Sequence, residues 1–133
     1  MQNILVAYDG GEPARHALEA VGEIARKFGS KVTVISVVPT RPGRFPVDPW
    51  DDATVHADEL VQARDFLRGY DIEPELLETA GDPAREIERI ADKGKYDAIV
   101  LGSRGLDAVT RVLQGSVSEH VATHAATPVL IVR

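Results

Sequence analysis

Residues 98–118 read Ala98-Ile99-Val100-Leu101-Gly102-Ser103-Arg104-Gly105-Leu106-Asp107-Ala108-Val109-Thr110-Arg111-Val112-Leu113-Gln114-Gly115-Ser116-Val117-Ser118. The first four residues are an apolar run that predicts a buried strand. Gly102 and Gly105 then let the backbone turn sharply and approach a ligand closely. Gly115 stands before Ser116-Val117-Ser118-Glu119, which reads as a capping box opening a helix. A helix amino terminus offers free N–H groups and the positive end of the dipole. Together these features suit a loop wrapped around an oligophosphate by N–H dipoles and serine hydroxyls. No Gly-Lys-Ser/Thr follows the glycines, so this is not a P-loop. Nor does the first β–α turn, Asp9-Gly10-Gly11-Glu12-Pro13, carry the dinucleotide fingerprint.

The rest of the chain supplies the frame. Asn3 to Tyr8 is a short apolar run stopped by Asp9-Gly10-Gly11. Ala14, Ala17, Leu18, Val21, Ile24, Ala25 and Phe28 then recur at helical spacing, with Pro13 in the first turn and Gly29 as the stop. Lys31 to Val38 is β-branched and mostly apolar, the mark of a strand buried on both faces. Pro39 to Asp52 contains four prolines and is no regular element. A second helix is marked by Ala53, Ala57, Leu60, Val61, Phe66 and Leu67 and ends at Gly69. Glu75 to Thr79 suits a strand near an edge, being less apolar. Asp82-Pro83 is an N-cap with proline at the first helical position, and Ala84, Ile87, Ile90 and Ala91 mark a third helix. Thr127-Pro128 breaks the fourth helix, and Val129 to Val132 is the last strand.

The order β-α-β-α-β-α-β-α-β predicts an α/β fold: one domain over residues 1–133, with a doubly wound, Rossmann-like, five-stranded parallel sheet in order 3-2-1-4-5 and four helices. Ligands of such sheets bind at the carboxyl ends of the strands flanking the point where the order reverses. Those ends carry Asp9 and Gly102.

The chain has 133 residues and a net charge of −6, with 15 Lys+Arg against 21 Asp+Glu and no cysteine. Disulfides, cysteine metal sites and thiol catalysis are excluded. No apolar run approaches the ~18 residues needed to span a bilayer, and no secretory leader is visible, so a cytoplasmic protein is expected. Residues 1–38 hold four acids and four bases, residues 79–133 seven of each, and residues 39–78 ten acids and four bases. The whole excess therefore lies in the middle segment, away from the glycine loop. It argues against broad nucleic-acid or anionic-membrane binding and marks an acidic surface a partner could read.

At the glycine loop the chain resembles the universal stress proteins of the nucleotide-binding kind. Gly102, Gly105, Gly115 and Ser116 fit that family's G-x2-G-x9-G-[S/T] motif without a gap. The likeness extends to the opening I-L-V-A-Y-D-G, the S-V-V ending of the second strand and the closing T-P-V-L-I-V-R. The resemblance implies an ATP-binding, stress-response regulatory protein, with Mg or Mn on the phosphates. It places Asp9 at the ribose or base with Ala7 nearby, and the Val37 backbone at the adenine. Leu101 and Gly102 would line the entry to the loop. Gly105, Gly115, Ser116, Val117 and Ser118 would hold ribose and phosphates. It also implies a homodimer paired through Val129–Val132, which would cover an exposed apolar edge. Gly11 departs from many relatives, which carry a hydroxyl residue after Asp-Gly.

Asp9 suits two roles from sequence alone, as a helix cap or a ribose ligand. No Ser-His-Asp arrangement is evident and no catalytic residue is assigned. A weak Mg-dependent ATP hydrolase is the second reading, although no residue clearly aligns a water. The third is a nucleotide-free interaction module using the acidic surface of residues 39–78. His120 and His124 stand four apart, a spacing used by metal sites. With no third ligand apparent, packing or surface is the expected role. His16 and His56 carry no signal.

Overall fold

The computed structural model describes residues 1–39, 53–103 and 112–133, with residues 53–54 and 112–116 described by backbone only. The elements run β1 (Asn3–Ala7), α1 (Glu12–Phe28), β2 (Lys31–Pro39), α2 (Ala53–Arg68), β3 (Glu75–Gly81), α3 (Pro83–Gly94), β4 (Ala98–Gly102), α4 (Val112–His124) and β5 (Val129–Val132). The strands form one sheet in the order β3-β2-β1-β4-β5, with every pairing parallel. This is the expected Rossmann-like topology. Parallel neighbours need a crossover, and each crossover here carries a helix.

Strand alternation sends side chains to two cores. Ile4 and Val6 of β1, Val32 and Val34 of β2 and Val100 of β4 pack with α1 and α2 residues such as Leu18, Val21, Leu60 and Leu67. Leu5, Ile35, Ile99 and Leu101 point the other way, against Ile87 and Ala91 of α3 and Val121 of α4. β1 is central and covered on both faces, so Ile4, Leu5 and Val6 are all fully buried. Each such side chain contributes about 1.5–3 kcal/mol relative to exposure. β3 alternates between exposed and half-buried, as its mixed composition and edge position require.

The caps follow their sequence signals. The Asp82 side chain accepts from the Arg85 N–H at 3.1 Å, with Pro83 opening α3. Gly29 ends α1 in the left-handed region and donates its N–H to the Ala25 carbonyl. Gly11, lacking a hydroxyl, caps α1 without a side-chain bond.

Three local expectations are corrected. Phe28 keeps the phase of the α1 stripe but is 65% exposed. It sits in the last turn, one residue before the chain reverses toward the amino end of β2, where packing partners run out. In α2 the buried stripe is His56, Leu60, Ala63 and Leu67, while Val61 and Phe66 are exposed and Ala57 faces outward. The helix is where the pattern put it, but a histidine holds a core position. Finally, α4 starts at Val112, not at Ser116. Val112-Leu113-Gln114 contains no breaker, and one internal glycine costs a helix only about 1 kcal/mol. Gly115 therefore lies within the helix.

Candidate functional site

The carboxyl ends of β1, β2 and β4 meet where the strand order reverses, between β1 and β4. Pairing runs past the formal strand ends. The Tyr8 N–H donates to the Ile35 carbonyl at 3.0 Å, and the Ser103 N–H donates to the Val132 carbonyl at 2.6 Å. These bonds fix the exits from β1 and β4, and with them Asp9 and Gly102.

Asp9 is exposed, and its Oδ1 accepts the Gly11 N–H at 2.9 Å. The carboxylate thus closes the turn that starts α1, with Gly10 at φ 80°. The bond belongs to the turn before the helix, since the N-cap of α1 is Gly11 and has no side-chain cap bond. Ala7 ends β1 half-buried on the α3/α4 side. Val37 lies on the same side of β2, half-buried, in register with Thr79 of β3.

Leu101 is buried and Gly102 half-buried at the end of β4. Gly102 is required by packing as well as by any ligand. A Cβ there would run into the Pro13 carbonyl carbon and oxygen and lie 2.8 Å from the Ala14 nitrogen. The amino end of α1 thus lies directly on the end of β4. From the other side, the Ser118 hydroxyl of α4 donates to the Gly102 carbonyl at 3.1 Å. Val117, half-buried, packs with the α3/α4 core. Asp9, Gly102 and Ser118 are thereby gathered from three segments at one end of the sheet. Gly115 and Ser116 lie on the α4 backbone, inside the helix. Gly105 falls outside the described residues.

One group at this end escaped the sequence. His56 of α2 is buried, and its Nδ1 lies 2.6 Å from the Ser36 Oγ, one residue before Val37. The same nitrogen is 3.4 Å from Glu59 Oε2. A Cβ on Gly10 would lie 3.3 Å from Glu59 Oε1, so this carboxylate abuts the β1–α1 turn. The available signal was the i, i+4 step from His56 to Leu60, which places the histidine on the apolar stripe.

The opposite end of the sheet also has a cleft, lined by Arg26, Lys31, Tyr70, Glu73 and Tyr96 among others. It lies at the strands' amino ends. There Asp97 accepts the Gln2 and Asn3 N–H groups at 2.8 Å each. The Asn3 bond first, then the Gln2 bond, holds its carboxyl below the usual range.

Fold and crevice together define a doubly wound α/β protein whose glycine-bearing strand end faces the switch point. The universal stress protein family model matches residues 1–133, and the chain belongs to that family. Universal stress protein MJ0531 of Methanocaldococcus jannaschii is 33% identical over an alignment of 143 residues, covering 99% of this chain and 82% of the relative. A universal stress protein crystallised in complex with cAMP superposes with a TM-score of 0.77 at 28% identity, covering 99% of this chain and 96% of that one. The universal stress protein from Archaeoglobus fulgidus in complex with dAMP superposes with a TM-score of 0.78 at 26% identity, covering 100% and 98%. No helix among the described residues is long and apolar enough to cross a membrane.

Proposed function

We propose that the carboxyl end of the sheet binds an adenine nucleotide, ATP in the cell, and that the protein is a nucleotide-responsive regulator of the stress response. The observation that carries this reading is the convergence of Asp9, Gly102 and Ser118 at the β1/β4 switch point, in a family whose members include proteins crystallised with cAMP and dAMP. Asp9 meets the ribose, with Ala7 beneath it, and the Val37 backbone reads the adenine edge. Leu101 and Gly102 lead into the phosphate loop. Gly105 of that loop and Gly115, Ser116 and Val117 on α4 would hold ribose and phosphates, where Mg or Mn would neutralise the charge.

Ser118 takes a different part from the others. A hydroxyl has a single O–H to donate, and that of Ser118 goes to Gly102. It is a positioning residue that sets the start of the loop. The adjacent amino end of α1 adds N–H groups and the positive dipole end. ATP is cytoplasmic, and the protein would act there. Pairing of β5 with a second copy would close the exposed edge of the sheet into a homodimer.

Isothermal titration of the full chain with ATP, ADP, AMP and cAMP in the presence of Mg tests the reading. One adenine nucleotide per chain is expected, with GTP clearly weaker because its ring edge presents a different donor pattern. No heat and no melting shift at millimolar nucleotide would overturn the proposal.

A further inference from the structure

We infer that α3 and α4 carry a divalent transition-metal site, of the zinc class, built from Glu88, His120 and His124. The two histidines are one turn apart on α4, and sequence alone offers them no third ligand. The structure supplies it. Glu88 of α3, distant in sequence, places Oε1 2.8 Å from the His120 Nδ1. One ligand atom from each of the three residues lies within 4.8 Å of the others. Ligands about 2.0–2.1 Å from a tetrahedral ion stand roughly 3.4 Å apart, so the three atoms need to draw together by little more than an ångström.

The local bonding prepares the ligands. A backbone carbonyl only accepts hydrogen bonds, and the His124 Nδ1 lies 3.0 Å from the His120 carbonyl. Nδ1 of His124 therefore carries the proton, which leaves Nε2 as its coordinating lone pair. Between His120 and Glu88 the metal takes the place of the shared proton. The two imidazoles stack at 4.1 Å with an interplanar angle of 19°. Convergence on one ion asks the exposed His124 ring to turn about its Cβ–Cγ bond, exchanging its contact with the His120 carbonyl for the metal. Glu88 and His120 are held more firmly, with 18% and 42% of their side chains exposed. A solvent-facing fourth position would be filled by water. Two imidazoles, one carboxylate and a water suit zinc, and the donor set disfavours magnesium and calcium, which prefer all-oxygen shells.

The test uses the full-length chain, stripped with chelator and free of nucleotide, titrated with Zn²⁺ alone by calorimetry. Co²⁺ is used in parallel to read the visible bands of a tetrahedral site. One ion per chain is expected. Glu88→Gln and His124→Ala are each expected to weaken binding by at least about tenfold, as losses around metal ligands do. His16→Ala, on α1, should leave binding unchanged. Circular dichroism confirms that each variant is folded, and His124 is exposed enough that its removal leaves the core intact. Wild-type affinity in either ligand variant, one ion per two chains, or no saturable binding below millimolar Zn²⁺ overturns the site.

Discussion

The Ser118 hydroxyl donates to the Gly102 carbonyl oxygen at 3.1 Å and ties the first turns of α4 to the end of β4. The two residues are 16 positions apart, and the glycine loop runs between them. The bond fixes where that loop begins relative to where its helix lies. Ser118 gives the Gly102 carbonyl a side-chain donor where β4 ends.

Ser118→Ala removes this donor and leaves a half-buried carbonyl short of a partner. A loss of about 1 kcal/mol in urea unfolding is expected, with a drop in nucleotide affinity because the loop loses its fixed start. Ser118→Thr, which keeps the hydroxyl, should recover most of both. Equal stability in Ser118→Ala and wild type would show that the bond contributes nothing.

Gly102→Ala meets backbone on the α1 side, where neither Pro13 nor Ala14 can rotate away. Overpacking of this kind costs roughly 1–3 kcal/mol. The expected outcome is a lower urea midpoint with an unchanged slope, measured with no nucleotide present. That separates the packing role of Gly102 from any contact with ligand.

His56 and Ser36 form a buried pair at 2.6 Å under the strand that carries Val37. Ser36→Ala and His56→Ala should each destabilise, the histidine change by about 2 kcal/mol because it also opens a cavity. The double variant should lose less than the sum, with a coupling of about 1 kcal/mol. Additive losses would mean that the two side chains act independently.

Asp97 accepts two backbone N–H groups from the amino terminus of β1, which lowers its carboxyl below the usual value. Its contribution to stability is therefore complete above the ordinary carboxylate range and is lost as pH falls through the depressed folded value. Asp97→Asn should lower the melting temperature near neutral pH and flatten its acid-side decline. A variant that melts in parallel with wild type across the acid range would remove Asp97 from that decline.

Leu130 on β5 is 38% exposed at the sheet edge. If β5 pairs with a second copy, Leu130→Lys should shift the protein toward monomer in light-scattering chromatography while its circular dichroism stays native. A monomeric wild-type chain would remove the proposed dimer.

The helices and strands were legible because their signals are local. Alternating apolar runs and helical stripes gave the element order, and right-handed crossovers left few ways to arrange five parallel strands. Glu75 to Thr79 could even be placed near an edge from its mixed polarity. Asp82-Pro83 predicted its own cap. Asp9 and Gly102 could be set at the switch point because both follow directly from strand ends.

What remained hidden depends on contacts between distant segments. The phase of α2 could not be fixed while His56 was set aside, since its burial rests on a hydroxyl contributed by β2. The capping signal at Ser116 to Glu119 lost to helix propagation from Val112, and Ser118 found its partner on β4. The need for glycine at 102 comes from the helix that packs on it, as well as from the turn it makes. The pairing of His120 and His124 acquired its third member only when α3 and α4 came side by side. The sequence by itself determined the periodicities, and therefore the doubly wound sheet, because each element's buried face is encoded within the element. Only the tertiary structure decided which polar groups meet, because hydrogen bonds act over about 3 Å and depend on the packing of segments far apart in the chain.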